Sequence, residues 1–87
     1  MYNIEIKPEA ISKLKKLKKK DIKSFRNVLD KIKEVAHILE TNPGHYKNLR
    51  KPLNKYKRVH VNKNFVLVFS SNKTNKTMVI IDYDPHD

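Results

Sequence analysis

Three residues that could act on a phosphate group alternate along one segment of the chain, Tyr56, Arg58 and His60, and a further histidine, His86, stands between two aspartates. Cleavage of RNA through its own 2′-hydroxyl needs a base, an acid and cations that stabilise the charge on phosphorus. Histidine can fill either proton-transfer role near neutral pH. A neighbouring cation favours neutral imidazole and a carboxylate favours imidazolium. The pattern therefore favours His60 as the base and His86 as the acid.

The same spacing also suits the solvent-facing side of an ordinary antiparallel sheet, and both interpretations stay open on residue types alone. The remaining histidines are weaker candidates. His37 falls in a predicted helix beside its apolar stripe, so we interpret it as structural. His45 lies in a loop next to Gly44 and ranks below His60 and His86.

Other kinds of chemistry are disfavoured by the composition. The chain has no cysteine, which excludes disulfides, thiolate metal sites and cysteine nucleophiles. Its single glycine excludes the glycine-rich loops that cradle phosphates. No group of histidine, aspartate and glutamate shows the spacing of metal ligands. We therefore expect neither a metal nor another cofactor.

The charge of the chain points to a polyanionic partner. Its 20 Lys and Arg against 9 Asp and Glu give a net charge of +11, and residues 41–81 contain no carboxylate. Such a surface suits phosphates, because each neutralised phosphate releases a counterion. The candidate contacts to RNA in this segment are six cations and one tyrosine: Lys47, Arg50, Lys51, Lys55, Tyr56, Lys57 and Arg58. The lysines between residues 13 and 23 are either a solvated helix face or additional phosphate contacts.

The first half of the sequence predicts one strand and two helices. Apolar and polar side chains alternate over residues 2–7, as in a half-buried strand, and Pro8 suits the first turn of a helix. Apolar residues continue at helical spacing to Leu17, after which a lysine run interrupts the pattern. Asp21 is the predicted N-cap of a second amphipathic helix, which ends at residues 42–44.

The second half predicts three strands. Residues 56–61 alternate, whereas the later segments are apolar almost throughout; the strands are placed at 56–61, 65–69 and 77–81, with a hairpin turn at 62–64, a polar turn at 70–76 and a tail at 82–87. The predicted fold is α+β with the order β-α-α-β-β-β. A helical hairpin covers one face of a mostly antiparallel four-stranded sheet. Val59 and Val61 face the helices, so Tyr56, Arg58 and His60 face the uncovered side.

The length of 87 residues suits a single domain that spans residues 1–87. No apolar run approaches the roughly 20 residues that a membrane-spanning helix needs. The first residues show no signal peptide, so we expect a cytoplasmic protein that does not contact a membrane.

The element order, the segment 56–61 followed by Phe65-Val66-Leu67-Val68-Phe69, and the ending 82–87 resemble the RelE/ParE toxin superfamily. The resemblance covers essentially the whole chain and is strongest to the RelE/YafQ-like mRNA interferases. It implies a ribosome-dependent endoribonuclease that cuts mRNA in the A site and is held inactive by a RelB-like antitoxin. His60 and His86 match histidines of YafQ-like members. Lys47 matches a basic loop position, and Arg58, Arg50 and Lys51 resemble the cations around the scissile phosphate. The resemblance thus implies that Lys47 and Arg58 stabilise charge at the reacting phosphate.

Two other functions stay open at this point. The ParE branch shares the fold but inhibits DNA gyrase without nuclease chemistry, and a third possibility is a non-catalytic RNA-binding or ribosome-binding module. Strands that are apolar on both faces, with helices on one face alone, would leave an exposed apolar patch. We therefore expect an acidic, partly disordered partner that folds onto this face.

Overall fold

Two helices and four strands follow one another in the order β-α-α-β-β-β in the computed structural model, which describes residues 1–63 and 65–85. The elements are β1 (Asn3–Ile6), α1 (Pro8–Lys20), α2 (Ile22–Thr41), β2 (Lys57–His60), β3 (Phe65–Asn72) and β4 (Thr77–Pro85). The strands form one sheet in the order β1-β4-β3-β2. β1 runs parallel to β4, and the other two pairings are antiparallel. The predicted α+β fold is confirmed.

The helices begin where the sequence predicts. Pro8 occupies the first turn of α1, where its missing N–H is not needed. Asp21 alone separates the helices, and its carboxylate accepts hydrogen bonds from the Ser24 backbone N–H (3.1 Å) and hydroxyl (2.7 Å). This is the predicted N-cap of α2. The C-cap of α2 is Asn42, whose N–H donates to the Ile38 carbonyl at 2.8 Å.

The core lies between the helices and one face of the sheet. Its largest fully buried side chains include Leu39 of α2 and four from the two central strands, namely Leu67, Phe69, Met78 and Ile80. Ala10, Leu14 and Leu17 of α1 complete this layer from the other helix. Because side chains of a strand alternate between faces, the strand residues between these core positions lie on the other side of the sheet.

Several element boundaries differ from the prediction. α1 continues through Lys18–Lys20, because lysine has good helix propensity and an exposed helical turn needs no apolar residue. The predicted turn at 70–76 is wrong for residues 70–72, which extend β3 by pairing with β4; the turn comprises residues 73–76. β4 likewise continues to Pro85, whereas β1 and β2 are each shorter by one residue at both ends. Backbone pairing, which polar side chains do not prevent, sets these limits.

The second face of the sheet is not covered by any element of residues 1–63 and 65–85. We call it the open face and define it by the alternating positions Arg58, His60, Val66, Val68, Ser70 and Val79. The three valines are half-buried, whereas Arg58 and His60 are exposed. The sequence predicts an exposed apolar patch on this face, and the structure places three half-buried valines there. Within the described residues, neither helix is long and apolar enough to cross a membrane.

Candidate functional site

β2 presents Arg58 and His60 side by side on the open face. The pairing of Val59 with Leu67 puts Val59 on the core side, so Arg58 and His60 must point the other way. Both side chains are exposed. A two-residue step along a strand is about 6.8 Å, which brings the two within reach of a single nucleotide. The predicted alternation along this strand is confirmed.

The register extends these positions into two rows across the sheet. Arg58 lies opposite Val68, which lies opposite Asp82 on β4. His60 lies opposite Val66, which lies opposite Asp84. Neighbouring strands are about 4.8 Å apart, so each basic side chain is separated from an aspartate by roughly 10 Å of apolar surface.

Both aspartates are paired with a lysine of α1. Lys13 Nζ lies 2.7 Å from Asp82 Oδ1 and 2.8 Å from Asp84 Oδ1. Partial burial raises the pKa of Asp82, but the hydrogen bonds from Lys13 and from the Tyr83 N–H outweigh it, so the pKa lies below its ordinary value. The hydrogen bonds to Asp82 and Asp84 raise the pKa of Lys13. Lys13 therefore offsets the only negative charges that the register places in these rows, among the residues described.

The loop between α2 and β2 places Lys47 beside Arg58. Asn48 forms an antiparallel bridge with Lys57, and the Lys57 ammonium donates to Asn48 Oδ1 at 2.7 Å. The Leu49 N–H donates to the Tyr56 carbonyl at 2.8 Å. In an antiparallel pair, the residue before one bridge partner lies opposite the residue after the other. Lys47 precedes Asn48 and Arg58 follows Lys57, so Lys47 and Arg58 are adjacent at this edge of the sheet. Lys47 is exposed.

The other predicted RNA-binding residues divide between two locations. Arg50, Lys51 and Lys55 are exposed in the loop, where the Lys55 ammonium stands 5.2 Å from the Tyr56 ring centroid. Lys57 is half-buried and lies on the helix-facing side, opposite Phe69. The structure therefore places Lys47 next to Arg58 and His60 at one edge of the sheet and directs Lys57 to the other face, while Arg50, Lys51 and Lys55 are exposed in the preceding loop.

The remaining histidines have different surroundings. His86 lies outside the described residues, so its predicted meeting with His60 stays a prediction. His45 packs edge-to-face on Tyr46 at 4.7 Å, and Tyr46 packs in the same way on Phe69 at 5.5 Å. These contacts fasten the start of the loop to the core. His37 is exposed on α2 and lines a groove next to β1, so it does not belong to the buried core.

Lys13 is the residue of this region that the sequence did not single out. Its partners are 69 and 71 residues away, and nothing in the local sequence distinguishes it from the other lysines of α1. Within residues 1–63 and 65–85, no three histidine, aspartate or glutamate side chains form a group that could hold a metal ion. The β2 edge of the open face offers an imidazole and two cations beside apolar surface, and the carboxylates of the face lie on β4 and β1, away from this edge.

Comparison with known proteins identifies relatives of the same architecture. No protein-family model matches the chain. Over its full length the chain is 49% identical to a protein of Methanocaldococcus jannaschii that carries the provisional name toxin RelE4, and it covers 88% of that protein. A YoeB/ParE toxin from Agrobacterium tumefaciens superposes with a TM-score of 0.76 at 11% identity, with 98% of this chain and 99% of the other covered. The toxin–antitoxin complex RelBE2 from Mycobacterium tuberculosis contains a chain with a TM-score of 0.72 at 19% identity, over 98% of this chain and 91% of the other.

The sheet order and the helical hairpin define a protein with the RelE/YoeB/ParE toxin fold. The 49% identity over all 87 residues makes the assignment more specific. The chain belongs to the RelE family of toxins, within the RelE/ParE superfamily.

Proposed function

We propose that the chain is the toxin of a type II toxin–antitoxin system and acts as a ribosome-dependent endoribonuclease that cleaves mRNA in the A site. The observation that carries this proposal is that Arg58 and His60 share the open face and that the Asn48–Lys57 bridge sets Lys47 next to Arg58, within a segment of the sequence that has no carboxylate. Inhibition of gyrase by binding alone requires no such combination of an imidazole with cations.

The proposed reaction transfers one proton at each end of the scissile bond. His60 removes the proton from the 2′-hydroxyl, whose oxygen attacks the adjacent phosphorus, and the bond from phosphorus to the 5′-oxygen breaks. His86 donates a proton to that 5′-oxygen, a role that rests on the sequence alone. Arg58 and Lys47 stabilise the negative charge that builds on the phosphate oxygens. The products are a 2′,3′-cyclic phosphate and a 5′-hydroxyl, and no metal or cofactor takes part.

The proposed partners are the ribosome, its mRNA and a cognate RelB-like antitoxin in the cytoplasm. The half-buried valines of the open face, Val66, Val68 and Val79, support an antitoxin that covers this apolar surface. The net charge of +11 supports an acidic one. Adding the antitoxin should raise the Tm of the chain and abolish cleavage, because ligand binding to the native state alone stabilises that state.

The test is cleavage of mRNA on translating ribosomes, compared between wild type and matched pairs of variants. His60→Gln should reduce the rate by at least about 100-fold, the usual contribution of a general base. Arg58→Gln should also reduce it strongly through loss of charge stabilisation at the phosphate. The controls are His37→Gln and Arg26→Gln, which replace an exposed histidine and an exposed arginine of α2 in the same way. Equal effects of a site variant and its control would contradict the assigned roles.

The alternative functions give different results in the same experiment. Breaks in DNA that depend on gyrase, without cleavage of mRNA, would support a ParE-like inhibitor. Binding to ribosomes without either reaction would support a non-catalytic module. Cleavage inside codons, abolished by His60→Gln, would support the proposed nuclease.

A further inference from the structure

Tyr56 is the tyrosine near the open face that has surface available for a ligand. Tyr46 is engaged edge-to-face with Phe69 at 5.5 Å. Tyr83 is 5% exposed and packs against Phe65, with ring centroids 5.2 Å apart. Tyr56, by contrast, is only half-buried and borders two grooves. Tyr56 is therefore the one of these three tyrosines on which a ligand could stack.

The larger of these grooves has a volume of about 460 Å³ and a lining rich in hydrogen-bonding groups. It runs from Tyr56 across the β3–β4 hairpin and is bordered by the side chains of Ser70, Asn75 and Thr77, with Val79 as an apolar contact. Hydroxyl and amide groups can both donate and accept hydrogen bonds. Lys55 also lines this groove, beside the Tyr56 ring, so a phosphate fits at that end. The aromatic ring, the apolar contact and the neutral polar groups along the rest of the groove suit a planar heterocycle.

The second groove limits how a nucleotide can be oriented. Its volume is about 280 Å³, and Glu9, Lys7 and Ile81 lie on the side away from the hairpin. Lys7 and Glu9 bring one positive and one negative charge, so this side offers a phosphate no net positive charge. Arg58, in contrast, is one two-residue step from Tyr56 along the chain, about 7 Å for extended backbone, and Lys55 Nζ is 5.2 Å from the ring centroid. The phosphate thus belongs beside Arg58 and Lys55, and the base belongs further along the larger groove, towards the β3–β4 hairpin.

We propose that this groove is a subsite for one unstacked nucleobase of single-stranded RNA, which stacks on Tyr56 while Ser70, Asn75 and Thr77 read its edge. The inference rests on the proposed function, because it assumes that the ligand is RNA. Single-stranded RNA is commonly recognised by aromatic stacking together with hydrogen bonds to the splayed base. The subsite would give the cleavage reaction a preference for the nucleotide next to the scissile phosphate.

The test measures binding of short single-stranded RNA to the full chain without ribosomes, so it does not depend on cleavage. The probes are a trinucleotide and the same trinucleotide with an abasic central position. The chain has no tryptophan, so Tyr56→Trp provides a unique fluorophore that base stacking should quench. Tyr56→Phe keeps the ring and should bind like wild type. Tyr56→Leu keeps an apolar side chain without the ring and should bind roughly 5- to 150-fold more weakly, the usual range for loss of one stacked base.

The abasic probe separates contacts to the base from contacts to the phosphate. Wild type should bind it as weakly as Tyr56→Leu binds the intact probe, whereas Arg58→Gln should weaken binding of both probes by the same factor. Asn75→Ala should change the preference among the four central bases but not the affinity for the abasic probe. Equal binding of intact and abasic RNA by wild type would overturn the subsite even if ribosomal cleavage is observed. Base-dependent binding without ribosomal cleavage would uphold the subsite and overturn the proposed nuclease.

Discussion

Replacement of Lys13 by methionine should weaken the attachment of α1 to the C-terminal half of β4. Lys13 Nζ pairs with Asp82 at 2.7 Å and with Asp84 at 2.8 Å. Methionine keeps an unbranched side chain with good helix propensity and removes only the charge. The matched control is Lys15→Met, since Lys15 is an exposed lysine of the same helix.

The expected cost follows from the exposure of the three side chains. Lys13 is 43% exposed, and Asp82 and Asp84 are 33% and 50% exposed, so solvent screens both pairs. Exposed pairs contribute about 0.2–1 kcal/mol each, which gives about 1 kcal/mol for Lys13→Met. Loss of Lys13 also leaves two carboxylates of the same strand without their shared cation. For a chain of this size, 1 kcal/mol corresponds to a decrease in Tm of about 4–8 °C.

The stabilisation that Lys13 provides should depend on pH in a defined direction. The folded state lowers the pKa of Asp82, because the hydrogen bonds from Lys13 and Tyr83 outweigh the opposing effect of partial burial. Stabilisation from a lowered carboxyl pKa is complete above the unfolded value and is lost as the pH falls through the folded value. The difference in Tm between wild type and Lys13→Met should therefore be full at pH 6–7 and shrink below about pH 4.

Thermal unfolding followed by circular dichroism, in a double-mutant cycle, tests this account. In a background with Asp82→Asn and Asp84→Asn, Lys13→Met should have little further effect on Tm. Lys15→Met should leave Tm nearly unchanged in either background. An equal decrease for Lys13→Met and Lys15→Met, or a decrease that persists without the carboxylates, would refute the reasoning.

Three other changes should alter stability in defined ways. Phe69→Ala removes a fully buried ring and should lower the free energy of unfolding by about 3–5 kcal/mol in urea titrations; a cost below 1 kcal/mol would contradict its central position. Lys76 has a φ of 53°, so Lys76→Gly should raise the free energy of unfolding by about 0.5–1 kcal/mol, whereas Lys73→Gly in the same turn should not. The Ser24 hydrogen bonds lower the pKa of Asp21, so Asp21→Ala should lower Tm near neutral pH and progressively less on acidification. Asp21→Asn, which keeps an acceptor for the cap, should lower Tm less; equal Tm values for these two variants would contradict the capping role.

The sequence predicts those features that depend on local periodicity and capping. The helical stripes, the Asp21 cap and the opposite directions of Val59 and Arg58 follow from spacing alone, because each periodicity fixes which residues share a face. The ends of β3 and β4 do not follow from this local periodicity. Ser70 and Ser71 resemble turn residues, but their backbone groups pair with β4, and this pairing depends on a partner strand.

The candidate site was predictable only in part for the same reason. Arg58 and His60 share one strand, so their common direction follows from alternation. The adjacency of Lys47 and Arg58 depends on the bridge between Asn48 and Lys57, which no local pattern reveals. The pairing of Lys13 with Asp82 spans 69 residues and depends on how α1 lies against β4.

The chemical nature of the RNA ends tests the central claim most directly. mRNA recovered from ribosomes incubated with the protein should carry a 2′,3′-cyclic phosphate upstream of the cut and a 5′-hydroxyl downstream, as attack by the 2′-hydroxyl requires. A substrate with a 2′-deoxynucleotide at the cleavage position should stay intact. Fragments with a 5′-phosphate, or cleavage of the deoxy-substituted mRNA, would contradict an open face that cuts RNA through its own 2′-hydroxyl.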